Sequence, residues 1–148
     1  MIENNKNYYA PMHSAEHILN QTMVRMFGCE RSFSNHIEKK KSKCDYHFNR
    51  NLTEVEIQEI EENVNRIIAQ KISITEEILK KDNAAKIVDL SKFNEDVNKM
   101  VRIIRIGDYD ICACSGEHVK NTSEIGTFKI TTTTFENEVL RLRYKLQN

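Results

Sequence analysis

Two short stretches, far apart in the chain, carry the side chains best suited to chemistry. His13 and His17 stand four apart. On a helix that spacing puts both imidazoles on one face about a turn apart, near enough to share a metal ion. By itself the pair fits equally well two hydrogen-bonded surface histidines. The second stretch, Cys112-Ala113-Cys114-Ser115-Gly116-Glu117-His118, follows a strand-like run and sets thiols and an imidazole on either side of a glycine that can take the turn between them. Jointly the two stretches supply a full tetrahedral set of nitrogen and sulfur donors. Such donors favour zinc over magnesium or calcium, which prefer oxygen. Cys112 and Cys114 point to the same side of a strand, so either thiol could reach the ion.

The helix motif differs from the His-Glu-x-x-His pattern of zinc peptidases, in which the glutamate directly after the first histidine is the general base. Here the acid is Glu16, directly before the second histidine and about 100° around the helix from it. A peptidase is a poor fit. Cys29 and Cys44 read as small buried hydrophobes, and His36 and His47 belong to no motif.

These groups need elements to hold them. Pro11 suits a helix start, Ile18, Leu19, Thr22, Met23, Met26 and Phe27 recur at helical spacing, and Gly28 stops the run. Lys43 to Phe48 alternates Cys44, Tyr46 and Phe48 with Asp45 and His47, the pattern of a half-buried strand. Asn51 to Gln70 predicts a second helix, with a Thr53–Glu56 capping box, Leu52 stapled onto Ile57, and an inward stripe of Ile57, Ile60, Val64, Ile67 and Ile68. A short strand over Lys71–Thr75 and a short helix over Asp82–Leu90, capped by Asp82, come next. The remainder is rich in strands: Val101–Ile106, a Gly107-Asp108 turn, Tyr109–Ala113, Thr127–Phe135 and Val139–Leu146. In the last, Leu140, Leu142, Tyr144 and Leu146 alternate with Arg141, Arg143 and Lys145. Helices on one face of an antiparallel sheet is the expected α+β architecture.

The 148 residues suit one domain, residues 1–148, large enough to bury a core without disulfides. With 39% hydrophobic and 30% charged residues, and only four Gly and one Pro, the chain belongs with ordered globular proteins rather than disordered ones. Met1–Asn7 lacks the basic-then-apolar pattern of a leader and no apolar run is long enough to span a bilayer, so the cytoplasm, where thiols stay reduced, is the expected location. The 22 basic and 22 acidic residues cancel, so a nucleic-acid partner would have to be held by a local patch.

His13-Ser14-Ala15-Glu16-His17 and Cys114-Ser115-Gly116-Glu117-His118-Val119, followed by Asn121-Thr122-Ser123-Glu124-Ile125-Gly126-Thr127-Phe128-Lys129-Ile130, resemble the editing domains of alanyl- and threonyl-tRNA synthetases. With no aminoacylation domain alongside, the chain looks like a free-standing alanyl-tRNA editing protein of the AlaX type. The resemblance implies a two-layer α+β fold like the synthetases' second additional domain, and one zinc ion held by His13, His17, Cys114 and His118. It selects Cys114 over Cys112 as the thiolate. It also implies a zinc-dependent hydrolase acting on the 3'-end ester of mischarged tRNA, seryl- or glycyl-tRNA for alanine. Editing of seryl-tRNA for threonine is the alternative within the class, and a non-catalytic zinc-stabilised module that binds tRNA or protein is the alternative outside it. Alanine-type sites read His-x-Ala-Thr-His and Cys-Gly-Gly-Thr-His, whereas this chain places Glu16 and Glu117 where those threonines stand.

Those two glutamates are the candidate catalytic groups, able to orient a water toward the ester carbonyl. Lys39, Lys40, Lys41 and Lys43 form the one strong basic cluster and are the candidate contacts to the phosphates of a tRNA acceptor end. Replacing these four lysines with alanine is expected to weaken tRNA binding in a filter or polarisation assay. Unchanged affinity at low salt would remove the patch from the tRNA interface.

Overall fold

The computed structural model describes residues 9–90 and 100–147; the N-terminal stretch read for a leader lies outside them. Helix α1 covers Ala10–Phe27, with Pro11 in its first turn, where a missing N–H breaks no helical bond. It ends at Gly28, whose left-handed φ of 68° lets its N–H reach the Val24 carbonyl at 2.9 Å. Helix α2, Glu54–Ala69, starts on the expected capping box: Thr53 Oγ1 accepts from the Glu56 N–H at 3.1 Å, and Glu56 Oε1 accepts from the Thr53 N–H at 2.9 Å. Ile60, Val64, Ile67 and Ile68 form its buried stripe, and Leu52 and Ile57 join the same core.

The strands are β1 (Ser34–His36), β2 (Ser42–His47), β3 (Ile74–Lys80), β4 (Met100–Ile106), β5 (Asp110–Ala113), β6 (Thr127–Glu136) and β7 (Val139–Gln147), and a short helix α3 (Lys81–Ala84) follows β3. Every pairing between them is antiparallel. The main core brings Met12, Ile18, Leu19 and Met23 of α1 and the stripe of α2 onto Cys44, Tyr46, Phe128, Ile130, Leu140, Leu142 and Tyr144 of one sheet. This is the expected α+β layering of helices on an antiparallel sheet. The strands divide, however, into two sheets: β1-β2-β7-β6, and β3-β4-β5 with a small core of its own around Ala84, Leu90, Val101 and Ile103.

Period-two alternation serves well where one face is buried, and β7 keeps Leu140, Leu142 and Tyr144 inside. Asp45, on the other face of β2, is nonetheless buried, because Arg141 of β7 lies opposite it and grips it with two bonds of 2.8 and 2.9 Å. Two expectations need correction. The strand expected over Lys71–Thr75 is β3, which starts at Ile74 and runs to Lys80; it is an edge strand with most residues exposed, so hydrophobic pattern could not mark it. The helix expected over Asp82–Leu90 is the single turn of α3, which follows Lys80 and has no side-chain cap, with Asp82 inside that turn. Strand β1 had no apolar signal at all, since Ser34, Asn35 and His36 are all exposed.

Among the described residues no helix is long and apolar enough to cross a membrane. Breaking the capping box with Thr53→Ala is expected to destabilise the fold by about 1 kcal/mol. Urea denaturation measures it, and an unchanged midpoint would mean that α2 is held by its buried stripe alone.

Candidate metal centre

The site grows out of an unusual stretch of α1, in which the nine residues from Met12 to Asn20 are all buried. A helix buried all round has no wet face for its polar residues, so each must find a partner inside. His13 Nδ1 lies 3.0 Å from the Glu117 carbonyl, an oxygen that can only accept, so this nitrogen carries the proton. In the neutral ring that leaves the Nε2 lone pair, and Nε2 is 3.3 Å from Cys114 Sγ. Ser14 Oγ bonds His118 Nδ1 at 2.9 Å and accepts the Val119 N–H at 3.2 Å, tying the loop after β5 onto the helix. His17 Nδ1 approaches Asp110 Oδ2 at 3.5 Å.

Around these contacts one ligand atom from each of His13, His17, Cys114 and His118 falls within 4.8 Å of all the others. The rings are packed closely, His13 and His118 stacked at 4.1 Å and His17 edge-on to both. His118 Nε2 is buried with no hydrogen-bond partner among the described residues, as a ligand nitrogen would be. Zinc bonds of about 2.0 Å to nitrogen and about 2.3 Å to sulfur place tetrahedral donors about 3.6 Å apart, close to the His13–Cys114 separation. The cluster can therefore hold a metal ion, and its donors suit zinc. Cys112 lies in β5 with a half-buried thiol directed at the Ala113 carbonyl, outside the cluster.

Electrostatics favour the ligand forms of the sulfur and of one ring. Burial alone would push the Cys114 thiol up, but the three rings around it, of His118, His13 and His17, outweigh burial and bring its pKa down to about 3. His118 is held neutral, at about 4: burial lowers it, and the neighbouring His17 and His13 add to that against the pull of Cys114. For His17 burial acts downward, yet Asp110 and Cys114 prevail and raise it well above the ordinary histidine value. Asp110 is itself buried, which opposes its charge, but His17 and the Arg31 guanidinium hold its carboxyl well below the usual range. Arg31 reaches its two oxygens at 2.7 and 3.3 Å, and Gln21 donates to Oδ1 at 2.8 Å. Arg31 and Gln21 thus fix the carboxylate that faces His17 at 3.5 Å, an arrangement of the kind that supports histidines where they bind metals.

The two candidate acids part company. Glu16 is 5% exposed, with Oε2 accepting from the Asn20 amide and, at 3.4 Å, from Asn35 of β1, while Oε1 stands 3.9 Å from His13 Nε2 and 3.8 Å from His17 Nε2. Glu117 brings only its carbonyl to the site, and its side chain is exposed. Gly116 makes its turn without a positive φ, unlike the other three glycines. Arg102 of β4 secures that turn by donating to the carbonyls of Cys114 and Gly116 at 3.1 and 2.7 Å. Lys39, Lys40 and Lys41 are exposed between β1 and β2, and Lys43 is half-buried on β2. Their hairpin carries Asn35, which lines the same cavity of about 750 Å³ as His13, Glu16, His17 and Cys114.

Sequence reasoning missed Asp110, Arg31, Asn20 and Asn35. For Asp110 a signal existed: Asp110, Cys112 and Cys114 recur at period two on one strand face. Arg31, Asn20 and Asn35 left none, because their roles arise from tertiary approach.

An α+β domain with a His, His, Cys, His cluster, buried on its helix side and half-buried on its loop side, is what the fold and site define. Residues 101–142, which include Cys114 and His118, match the threonyl and alanyl tRNA synthetase second additional domain. The chain is 35% identical to the alanine–tRNA ligase of Fervidobacterium nodosum over 119 residues, 80% of this chain and 14% of the ligase. It is 36% identical over 119 residues to that of Caldicellulosiruptor saccharolyticus, with the same shares, and 31% identical over 120 residues to that of Borrelia hermsii, 80% of this chain and 20% of the ligase. The chain is thus similar over most of its length to part of the alanine–tRNA ligases, and it spans no more than 20% of the length of these ligases.

Replacing Asp110 with Asn should weaken the carboxylate support of His17 and lower zinc affinity about 10- to 100-fold, read by competition with a chromogenic chelator. Equal affinity in the variant would detach Asp110 from the metal centre.

Proposed function

We propose that the chain, as a single domain over residues 1–148, is a zinc-dependent aminoacyl-tRNA deacylase that clears mischarged alanine tRNA in trans. The substrate is the ester between a wrong amino acid, serine or glycine, and the 3' end of the tRNA. The observation that carries this reading is that three of the four metal donors, with Glu16 beside them, line one open cavity rather than a closed knot. A purely structural zinc would have no use for that opening or for a buried carboxylate at its edge.

His13, His17, Cys114 and His118 would hold the ion, which when bound supplies positive charge to polarise a carbonyl or fix an amine. Glu16 does the proton work. Its Oε2 is occupied by the two asparagine amides, which leaves Oε1 facing the cluster to accept a proton from water. The water oxygen bonds to the ester carbon, the bond from that carbon to the ribose oxygen breaks, and the proton returns to the ribose oxygen. Free amino acid and uncharged tRNA leave. The lysines at 39, 40, 41 and 43, on the hairpin that brings Asn35 to the cavity, would hold acceptor-end phosphates.

Incubation with seryl- and glycyl-alanine tRNA, seryl-threonine tRNA and correctly charged controls tests this directly. Release of serine or glycine from alanine tRNA is expected, release from threonine tRNA alone would move the assignment to that class, and no release from any substrate would end the enzyme reading. Glu16→Gln should lower kcat by about 100-fold or more. Chelation should abolish release while leaving the helical circular dichroism intact; loss of the fold with the metal would instead indicate a structural ion.

A further inference from the structure

An aminoacyl ester is attached to a ribose, and the terminal base hangs from the same ribose. If the ester carbon lies beside Glu16, the base cannot be more than one sugar away and must rest inside or on the rim of the same cavity. Apart from the metal-binding histidines, Phe33 and His47 are the aromatic side chains that line it among the described residues. They are stacked on each other at 4.0 Å with an interplanar angle of 12°. Both are exposed, Phe33 at 39%, so the outer faces of the pair are open to a further ring.

The pair is also held in place. Phe33 donates its N–H to the Asp45 carbonyl at 3.0 Å, the preceding Ser32 donates to Asn20 Oδ1 at 2.9 Å, and His47 is paired with Val139 at the end of β2. Arg31, the nearest alternative for stacking, is committed to Asp110. A second cavity of about 480 Å³, lined by Phe27, Phe48 and Arg50, shares Cys29 and His47 with the first. His47 therefore borders both cavities.

We propose that the Phe33–His47 stack is the platform on which the terminal base of the tRNA 3' end lies, one aromatic layer added to an existing pair. Single-stranded nucleic-acid sites use aromatic faces in this way, and the interaction tolerates any base because every base has a π-face. The inference rests on the proposed deacylation for its choice of ligand, but not for its test.

The probe is an uncharged acceptor-stem minihelix carrying 2-aminopurine as its terminal base, whose fluorescence falls on stacking. Binding to the wild-type protein is expected to quench it, and an abasic terminus should bind about tenfold more weakly. Phe33→Ala and Phe33→Leu, the latter keeping an apolar cover without a π-face, should both lose the quench and no longer distinguish the abasic from the complete end. Unchanged thermal melting identifies variants that fold, and His47→Ala supplies a second, independent removal of the stack. Full quenching by both Phe33 variants, or equal wild-type affinity for the abasic end, overturns the platform. Absence of hydrolysis alongside base-dependent quenching defeats only the deacylase reading. Hydrolysis at unchanged KM in the Phe33 variants defeats only the platform.

Discussion

Much of this structure follows from the burial of one helical segment. From Met12 to Asn20 every residue of α1 is buried, although five of the nine are polar or ionisable. A buried polar group left without a partner costs about 1–3 kcal/mol, so the neighbouring elements are constrained to bring partners to His13, Ser14, Glu16, His17 and Asn20. The loop after β5 supplies the Glu117 carbonyl, His118 and the Val119 N–H; the start of β5 supplies Asp110; the segment leading into β1 supplies the Ser32 N–H, and β1 itself supplies Asn35. The same contacts that satisfy the helix assemble the cluster.

That constraint also explains why two sheets are needed. The four-stranded sheet buries the apolar side of the helices and fixes β1 and β2, the hairpin flanking the cavity. The three-stranded sheet carries Asp110 and the Cys114 turn to the other side, and Arg102 of its central strand binds the carbonyls of that turn. Since Arg102 also pairs with Glu76 of β3 at 2.7 Å, the position of Cys114 depends on the small sheet as a unit. The cluster sits at the junction of these parts, and its geometry is inherited from both.

What could be read from residue order was whatever a local rule controls. The Thr53–Glu56 box and the alternation in β7 are decided by neighbours a few positions away, and both stand as expected. Spacing likewise brought His13 with His17 and Cys114 with His118. Strand β1 escaped and β3 was placed too early in the chain because their pairing is backbone to backbone at sheet edges, where side-chain polarity carries no mark. Glu16 and Glu117 were equivalent as letters, each an acid directly before a histidine. Only tertiary context separates them: one lies on a helix buried all round, the other on a surface loop.

The fate of Glu16 illustrates how burial turns into chemistry. A carboxylate removed from water is tolerated only when its charge is answered, and here the answer is uneven. Both amide donors go to Oε2, whereas Oε1 faces the Nε2 atoms of His13 and His17. His17, raised well above the ordinary histidine value, brings positive charge to within 3.8 Å of Oε1. The carboxylate, the three histidines and the thiol of Cys114 thus meet at one point, and a divalent ion there would answer Cys114 and Glu16 together. A threonine in place of Glu16 would satisfy the helix with a single backbone bond and bring no charge to that point. The glutamate makes sense as a group stabilised by the centre it borders, and that proximity is what equips it to handle a proton there.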